Sequence, residues 1–567
     1  MHRVRRSAQE RQIAQPVSLL WPDGRATAAI GRLADEAIAD LHLAEIVSAI
    51  VGADAPAGRL AARERFAERV LTELLSDAEI IAYRQAVLTD LLDHPPLRER
   101  LEAVLPGLEA LGDVPRGERY RPTAEPGLER VARRLIDLEL LVDVVSRLVD
   151  ALNETPVKSE AFRSVGSRLD EMRRTPQFAA LERELPALRA TLASVRSLTI
   201  GVNLGPDLSP ESATILDLGT LPIEGRRGLL WRLLGGGDGK AGLTPLQRGE
   251  GGPLSRPNEL MRDLRHLLGQ VVAPVAIALE RFSRMSTDAV APLGPELAVF
   301  LGAARLVERL RCAGLPVCRP EYIDAERRTA ELVDAYDPGL ALSQLSNAGS
   351  IVTNAVCFDE HVGRVWVLTG PNRGGKTTYA RAVGLAQVLF QAGLYVPART
   401  ARLSPADAIY THFPGREDAR PGLGRLDLEA ERLAAIFHQA TPRSLILLNE
   451  ALSGTSALEA LDLARGLVRG LRLLGARAIY VTHLHELAHS VDEINASTPG
   501  DGTVASLLAD SDSADNSGPP GARASRRRTY RIVPHAPRGV SFAAEIAEQH
   551  GISFAQLAQL LRDRNLA

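Results

Sequence analysis

The chain has 567 residues, 67 of them basic and 70 acidic, for a formal net charge of −3, and 45% of its side chains are hydrophobic. At roughly 100–200 residues per domain this predicts several domains with buried cores and excludes a wholly disordered chain. The near-neutral balance excludes a protein that coats nucleic acid through net charge alone, while leaving room for a local basic surface.

Among the 67 basic residues only Lys158, Lys240 and Lys376 are lysines, so each position that keeps lysine stands out. Cys312, Cys318 and Cys357 match neither a disulfide framework nor a zinc ribbon, which fits a reducing compartment. The first residues are basic without a signal-like apolar run, and the apolar stretch Val271–Leu279 is far short of the roughly 20 residues that span a bilayer. A soluble, cytoplasmic protein is expected.

Up to about residue 340 the pattern is mostly helical. Ala62 to Leu75 reads as an amphipathic helix. Leu128, Val131, Leu135, Leu138, Val142, Val145, Val149 and Leu152 recur every three or four residues, the seam of one long helix packed in a bundle or, alternatively, in a coiled coil. Short β-branched runs between Ser197 and Leu221, broken by Gly, Pro and Ser, predict a small β-hairpin. The glycine-rich stretch Leu234–Gly242 reads as a loop tip, since no Ser or Thr follows Lys240 and no strand precedes it. Helical patterns resume from about Pro257 to Arg311, with Pro274 expected to kink one of them.

From about residue 350 strands and helices alternate, predicting an α/β domain with a largely parallel sheet. Thr498 to Ser525 is rich in Ser, Asp, Gly and Pro and is expected to be disordered. Ser541–His550 and Ser553–Arg562 then predict a short helical hairpin.

The chemistry lies in the α/β region. The apolar run Arg364–Thr369 is followed by Gly370, Pro371, Asn372, Arg373, Gly374, Gly375, Lys376, Thr377 and Thr378, which satisfies G-x-x-x-x-G-K-[ST] between a strand and a helix. Glycines let backbone N–H groups turn inward around phosphates, and the helix start adds its positive dipole end. Lys376 suits the β- and γ-phosphates as a slender point charge, and the Thr377 hydroxyl suits Mg²⁺. A second apolar strand, Ser444–Leu448, ends in Asn449 and Glu450, a Walker B segment. Glu450 can orient and deprotonate the attacking water. Asn449 stands where the usual pattern has Asp; its amide can reach Mg²⁺ through water but brings no charge. His483, at the end of a further strand from Ala478 to Thr482, can contact the γ-phosphate. A rival pattern overlaps it: His485-Glu-Leu-Ala-His489 satisfies H-E-x-x-H, the helical zinc-peptidase spacing.

Together, Thr369–Tyr379, Tyr395–Ala398, Leu447–Glu450, Ser453–Ser456 and Thr482–Leu487 resemble the ATPase domain of the MutS family of DNA mismatch-repair proteins. The resemblance is sharp over about 350–490, looser over Tyr530–Leu561, and weaker at Arg84–Leu92 and the helices around the hairpin. It implies a multidomain protein: an N-terminal helical core (1–125), a long-helix lever and clamp with the small β insertion (126–340), an ABC-type P-loop ATPase domain (341–496), a disordered insertion (497–528), and a C-terminal strand with a helical hairpin (529–567). It also implies a homodimer that binds ATP and Mg²⁺ between the Walker motifs of one subunit and a signature segment of the other. That segment here is Gly422–Glu429, with Gly424 where the family has Ser; with Asn449, this predicts an active, slow ATPase.

The upstream region is too short to hold mismatch-reading and connector domains besides the lever and clamp. Phe66-Ala-Glu68 matches the family's Phe-x-Glu wedge but lies in an amphipathic helix, so the match is read as chance. The expectation is a cytoplasmic, nucleoid-associated ATPase that contacts DNA phosphates without reading mismatches and has no membrane partner. The alternatives are a non-hydrolysing nucleotide-dependent scaffold and the zinc peptidase.

Overall fold

The structure, a computed structural model, describes residues 17–22, 30–52, 57–112, 128–193, 197–204, 206, 210–219, 221, 273–282, 285, 287–345, 350–413, 424–452, 455–512, 527–535 and 554–563. In chain order its first elements are β1 (Ile30–Arg32), α1 (Asp35–Asp40), α2 (Leu43–Val51), α3 (Ala57–Thr72), β2 (Glu73–Leu75), α4 (Ala78–Asp93) and α5 (Pro95–Gly112). Next come α6 (Leu128–Asn153), α7 (Glu160–Arg173), α8 (Pro176–Ala193), β3 (Ser197–Leu204), β4 (Pro210–Gly219) and α9 (Leu293–Cys312). The α/β region holds β5 (Glu321–Tyr322), β6 (Ala330–Ala335), α10 (Pro338–Leu345), β7 (Asn354–Phe358), β8 (Val365–Thr369), α11 (Lys376–Gln391), β9 (Thr400–Leu403) and β10 (Ile409–His412). It continues with α12 (Arg425–Gln439), β11 (Leu445–Asn449), α13 (Ala457–Leu474), β12 (Arg477–Val481), α14 (His485–His489), α15 (Val491–Ser497), β13 (Val504–Asp512), β14 (Arg527–Pro534) and α16 (Phe554–Asp563).

Among these residues two compact units form. One draws on Glu99–Pro156 and Ser164–Gly294 with Val17; the other draws on Ser18–Arg98, Val157–Arg163 and Pro295–Ala567. In the first, α6 buries Val131, Leu135, Leu138, Val145, Val149 and Leu152 of the expected seam. Val142 is only half-buried, while Leu141, Val144 and Leu148 are buried. The cause is pitch: at 3.6 residues per turn a 3.5-residue stripe drifts by about 20° per heptad, so the buried face widens. α8 packs along α6. β3 and β4 pair antiparallel from Ser197↔Gly219 to Leu204↔Pro210. Pro274 lies in helix, which is described over 273–280; the residues just before it, on which the expected kink bears, lie outside the described residues. The glycine-rich stretch 234–242 and residues 257–272 lie outside the described residues.

The second unit holds two larger sheets. One has the order β10-β11-β12-β8-β13-β14, parallel throughout except for β14, which is antiparallel to β13. The other, β5-β9-β6-β7, is mixed. Apolar runs make the central strands: every residue of β8, β11 and β12 is buried. α13 buries Ala460, Ala464, Val468 and Leu471 at helical spacing against this sheet.

Several expectations are corrected. The boundary at 340/341 falls inside the mixed sheet, because β6 pairs with β7 and β9. Ser18–Arg98 belongs with the sheets rather than with a separate N-terminal core. Arg84 of α4 shows why: its guanidinium donates to Leu20 O at 3.1 Å and to Ala392 O at 3.3 Å, partners that local periodicity does not reveal. The amphipathic helix expected over 62–75 ends at Thr72, and Glu73–Leu75 instead forms β2 against β1. The insertion expected to be disordered from 497 contains β13, whose Leu507, Leu508 and Ala509 are buried and whose Val504–Leu508 pairs with Val365–Thr369. Its Ser and Asp residues hid a short apolar strand; 513–526 lie outside the described residues. The first helix of the expected C-terminal hairpin, 541–550, also lies outside them, and the second is α16.

Candidate functional site

The loop from Gly370 to Gly375 leaves the C-terminal end of β8, which lies between β12 and β13. Gly370 has φ 137°, and a Cβ there would lie 2.7 Å from Ala509 Cβ; Gly375, which starts α11, has φ 89°. Neither position accommodates an ordinary side chain without strain. Arg373 is left-handed as well, at φ 61°, and its side chain is exposed.

Lys376 is 5% exposed and turns back onto the loop, donating to Gly370 O at 3.0 Å and Pro371 O at 3.1 Å. Burial lowers its pKa and Glu450 opposes the shift. Thr377 Oγ1 donates to Asn449 Oδ1 at 3.3 Å, so the two residues assigned to the metal meet across neighbouring elements. β11 ends there because Glu450 adopts φ 49°, yet its N–H still donates to Val481 O at 2.8 Å and anchors it beside β12. A strained residue directly after a buried strand is a frequent mark of functional sites.

Gly375, Lys376, Thr377 and Glu450 line a cavity of about 560 Å³ that also takes in Asn372, Arg373, Thr378 and Tyr530; Asn449 is not part of its lining and meets it through Thr377. His483 is exposed and is not part of its lining. His485 is half-buried, with Lys376 and His483 among the charges acting on it; burial is the main force lowering its pKa. Gly424 caps α12, its N–H donating to Asp427 Oδ2 at 3.1 Å; Gly422 and Leu423 lie outside the described residues, as do Ser453 and Gly454. The H-E-x-x-H segment forms only the five-residue α14, and among the described residues no group of three or more His, Cys, Asp or Glu could hold a metal ion. No helix among them is long and apolar enough to cross a membrane.

Sequence reasoning missed the far wall. Tyr530 of β14, left-handed at φ 57°, places its ring next to Gly375, whose Cβ would lie 3.6 Å from Tyr530 Cδ1. Asn354 holds it there: its side chain donates to Tyr530 O at 3.2 Å and accepts from Ile532 N at 2.7 Å. Tyr336 and Asp337 form another part of the wall, with Arg381 Nη1 3.4 Å from Asp337 Oδ2. Burial raises the Asp337 pKa against Arg381 and the N–H groups of Leu340 and Gly339. No motif spacing links these residues to the loop.

Fold and site define an α/β domain, with a largely parallel sheet, whose glycine-rich loop leads into a helix N-terminus beside a cavity. The family model for MutS domain V matches residues 366–506, and the model for the MutS2 N-terminal domain matches residues 76–313. The chain belongs to the MutS family. It is 37% identical over 175 residues to a DNA mismatch repair protein MutS of Microcystis aeruginosa, covering 30% of this chain and 19% of the relative. The MutS of Symbiobacterium thermophilum is 33% identical over 244 residues, covering 43% and 26%. That of Prochlorococcus marinus is 29% identical over 455 residues, covering 73% of this chain and 46% of the relative. The chain thus spans between a fifth and a half of the length of these relatives.

Proposed function

We propose that this chain is an ATP-switched dimeric clamp that hydrolyses ATP slowly and holds DNA, branched or otherwise structured, through its phosphates without reading mismatches. MutS-family proteins are ATPases that use Mg²⁺, bind DNA and act as dimers. The carrying observation is that Lys376, Thr377 and Glu450 line one cavity, with Thr377 bonded to Asn449, beyond the C-terminal ends of β8 and β11, two parallel strands with β12 between them. In this reading the loop N–H groups and Lys376 bind the phosphates, with Lys376 exchanging its two carbonyl partners for phosphate oxygens. Mg²⁺, when bound, would be held by Thr377 and, through water, by Asn449, and would offset phosphate charge. Glu450 positions and deprotonates the attacking water, while His483 requires closure of the site to reach the γ-phosphate.

A second reading, a nucleotide-dependent scaffold that does not hydrolyse, is favoured by the uncharged Asn449 and by Gly424. Steady-state ATP turnover separates the two. Wild-type turnover above that of Glu450→Gln and Lys376→Ala, stimulated by one member of a panel of duplex, junction and single-stranded DNA, is expected for the clamp. Equal background turnover in all three proteins supports the scaffold, and undetectable or salt-insensitive DNA binding rejects the DNA part.

A further inference from the structure

Two positions in or beside the cavity make it more positive: Asn449 brings no charge where the usual pattern has Asp, and Arg373 adds a charge at a loop position the motif leaves open. At the end of β11 the metal-holding carboxylate is replaced by Asn449, whose Oδ1 already accepts from Thr377 at 3.3 Å. On the loop, Arg373 lines the cavity with an exposed guanidinium that has no ion pair or hydrogen bond among the described residues. Its left-handed backbone, φ 61°, is uncommon for a residue with a Cβ. Lys376 is buried against two carbonyls, so Arg373 is the cation that the loop leaves open to an arriving anion.

The loop and its lysine fit a polyphosphate; the metal corner offers Mg²⁺ a hydroxyl and an amide, without the charge of a carboxylate at 449. Glu450 is the one carboxylate of the cavity without a cationic side chain bonded to it, since Asp337 faces Arg381. Compared with a site holding Asp at 449 and a neutral residue at 373, this cavity is more positive by one charge at each position. A guanidinium is always charged and fits phosphate oxygens in a bidentate fork. Resting on the nucleotide reading above, we infer that Arg373 takes over much of the phosphate neutralisation that Mg²⁺ supplies elsewhere, so that nucleotide binding here depends little on Mg²⁺.

The test is equilibrium titration of the full chain with N-methylanthraniloyl-ADP in excess EDTA and in excess Mg²⁺, with circular dichroism confirming that each variant is folded. The wild type should bind within about threefold in the two buffers, and Arg373→Met should lose about tenfold or more in EDTA while recovering part of it in Mg²⁺. Arg373→Lys should retain most of the EDTA affinity, and Asn449→Asp should make binding Mg²⁺-dependent by about tenfold. Wild-type affinity that collapses on chelation, with Arg373→Met indistinguishable from wild type in both buffers, overturns the inference but leaves the nucleotide site standing. If wild type and Lys376→Ala bind no nucleotide in either buffer, the nucleotide reading itself falls, and the inference with it.

Discussion

Glu296 offers a quantitative test of how the segment before β1 is held. This carboxylate, on α9, is 7% exposed and accepts from Ser18 Oγ at 2.8 Å and Leu19 N at 2.6 Å. Burial pushes its pKa from 4.5 up to about 7 against those hydrogen bonds and the nearby Arg84. A folded-state pKa above the unfolded one means that the folded chain binds the proton more tightly. Its contribution is therefore fully present below about pH 4.5 and is lost as pH rises through about 7. The displacement amounts to about 3 kcal/mol. Glu296→Gln keeps an amide oxygen to accept from Leu19 N, replaces the oxygen that accepts from Ser18 Oγ by an amide nitrogen, and cannot titrate. Arg84, lowered only to about 10, stays charged over this range, so losing its carboxylate neighbour shifts the variant by a constant. Urea unfolding of both proteins from pH 5 to pH 8 should show wild type losing about 2–3 kcal/mol relative to the Glu296→Gln variant. A difference that stays flat with pH, or that grows in favour of wild type as pH rises, would refute the reasoning and show that Arg84 keeps Glu296 ionised.

Three further outcomes are expected. Gly393→Ala should destabilise the chain by about 3 kcal/mol, read from the urea midpoint, because Gly393 has φ +78° and its Cβ would lie 2.4 Å from Arg84 Cβ; a loss under about 1 kcal/mol contradicts this packing. Tyr530→Ala should weaken nucleotide binding by about tenfold, whereas Tyr530→Gly should do the same with about 1 kcal/mol more stability than Ala, since φ 57° suits glycine; unchanged affinity in both would remove Tyr530 from the site. Phe66→Ala should leave DNA affinity within about twofold, because Phe66 is half-buried in α3 with Arg69 4.6 Å from its ring centroid; selective loss of binding to mismatched duplex would restore the wedge reading.

What the sequence made legible is chemistry that lies contiguously along the chain. Gly370–Thr378 follows, and Asn449–Glu450 closes, a strand that is mostly apolar and buried along its whole length, so motif and element could be read together. The second wall of the cavity was not legible, because Tyr530 and Asn354 are brought there by a side-chain amide that stands in for a strand partner. Nothing about either residue's neighbours in sequence announces that bond. β13 was missed because its polar residues, Ser506 and Asp510 among them, look like a linker until β8 is available to pair with it. The domain borders failed for the same reason: periodicity reports which face of an element is apolar, not which distant element covers it.

The second unit is discontinuous, and this has a consequence for how the chain emerges during synthesis. About 200 residues separate Arg98 from Pro295, apart from the short return at Val157–Arg163. At typical elongation rates of 5–20 residues per second, α1 to α4 wait roughly 10–40 s before α9 and the sheet strands exist to cover them. During that interval Ile46, Ile50, Leu88 and Leu91, all buried in the finished fold, have only the neighbouring N-terminal helices to cover them. The N-terminal helices are thus the stretch in which a nascent chain of this protein most needs a holding chaperone, and a chain terminated early would expose them permanently.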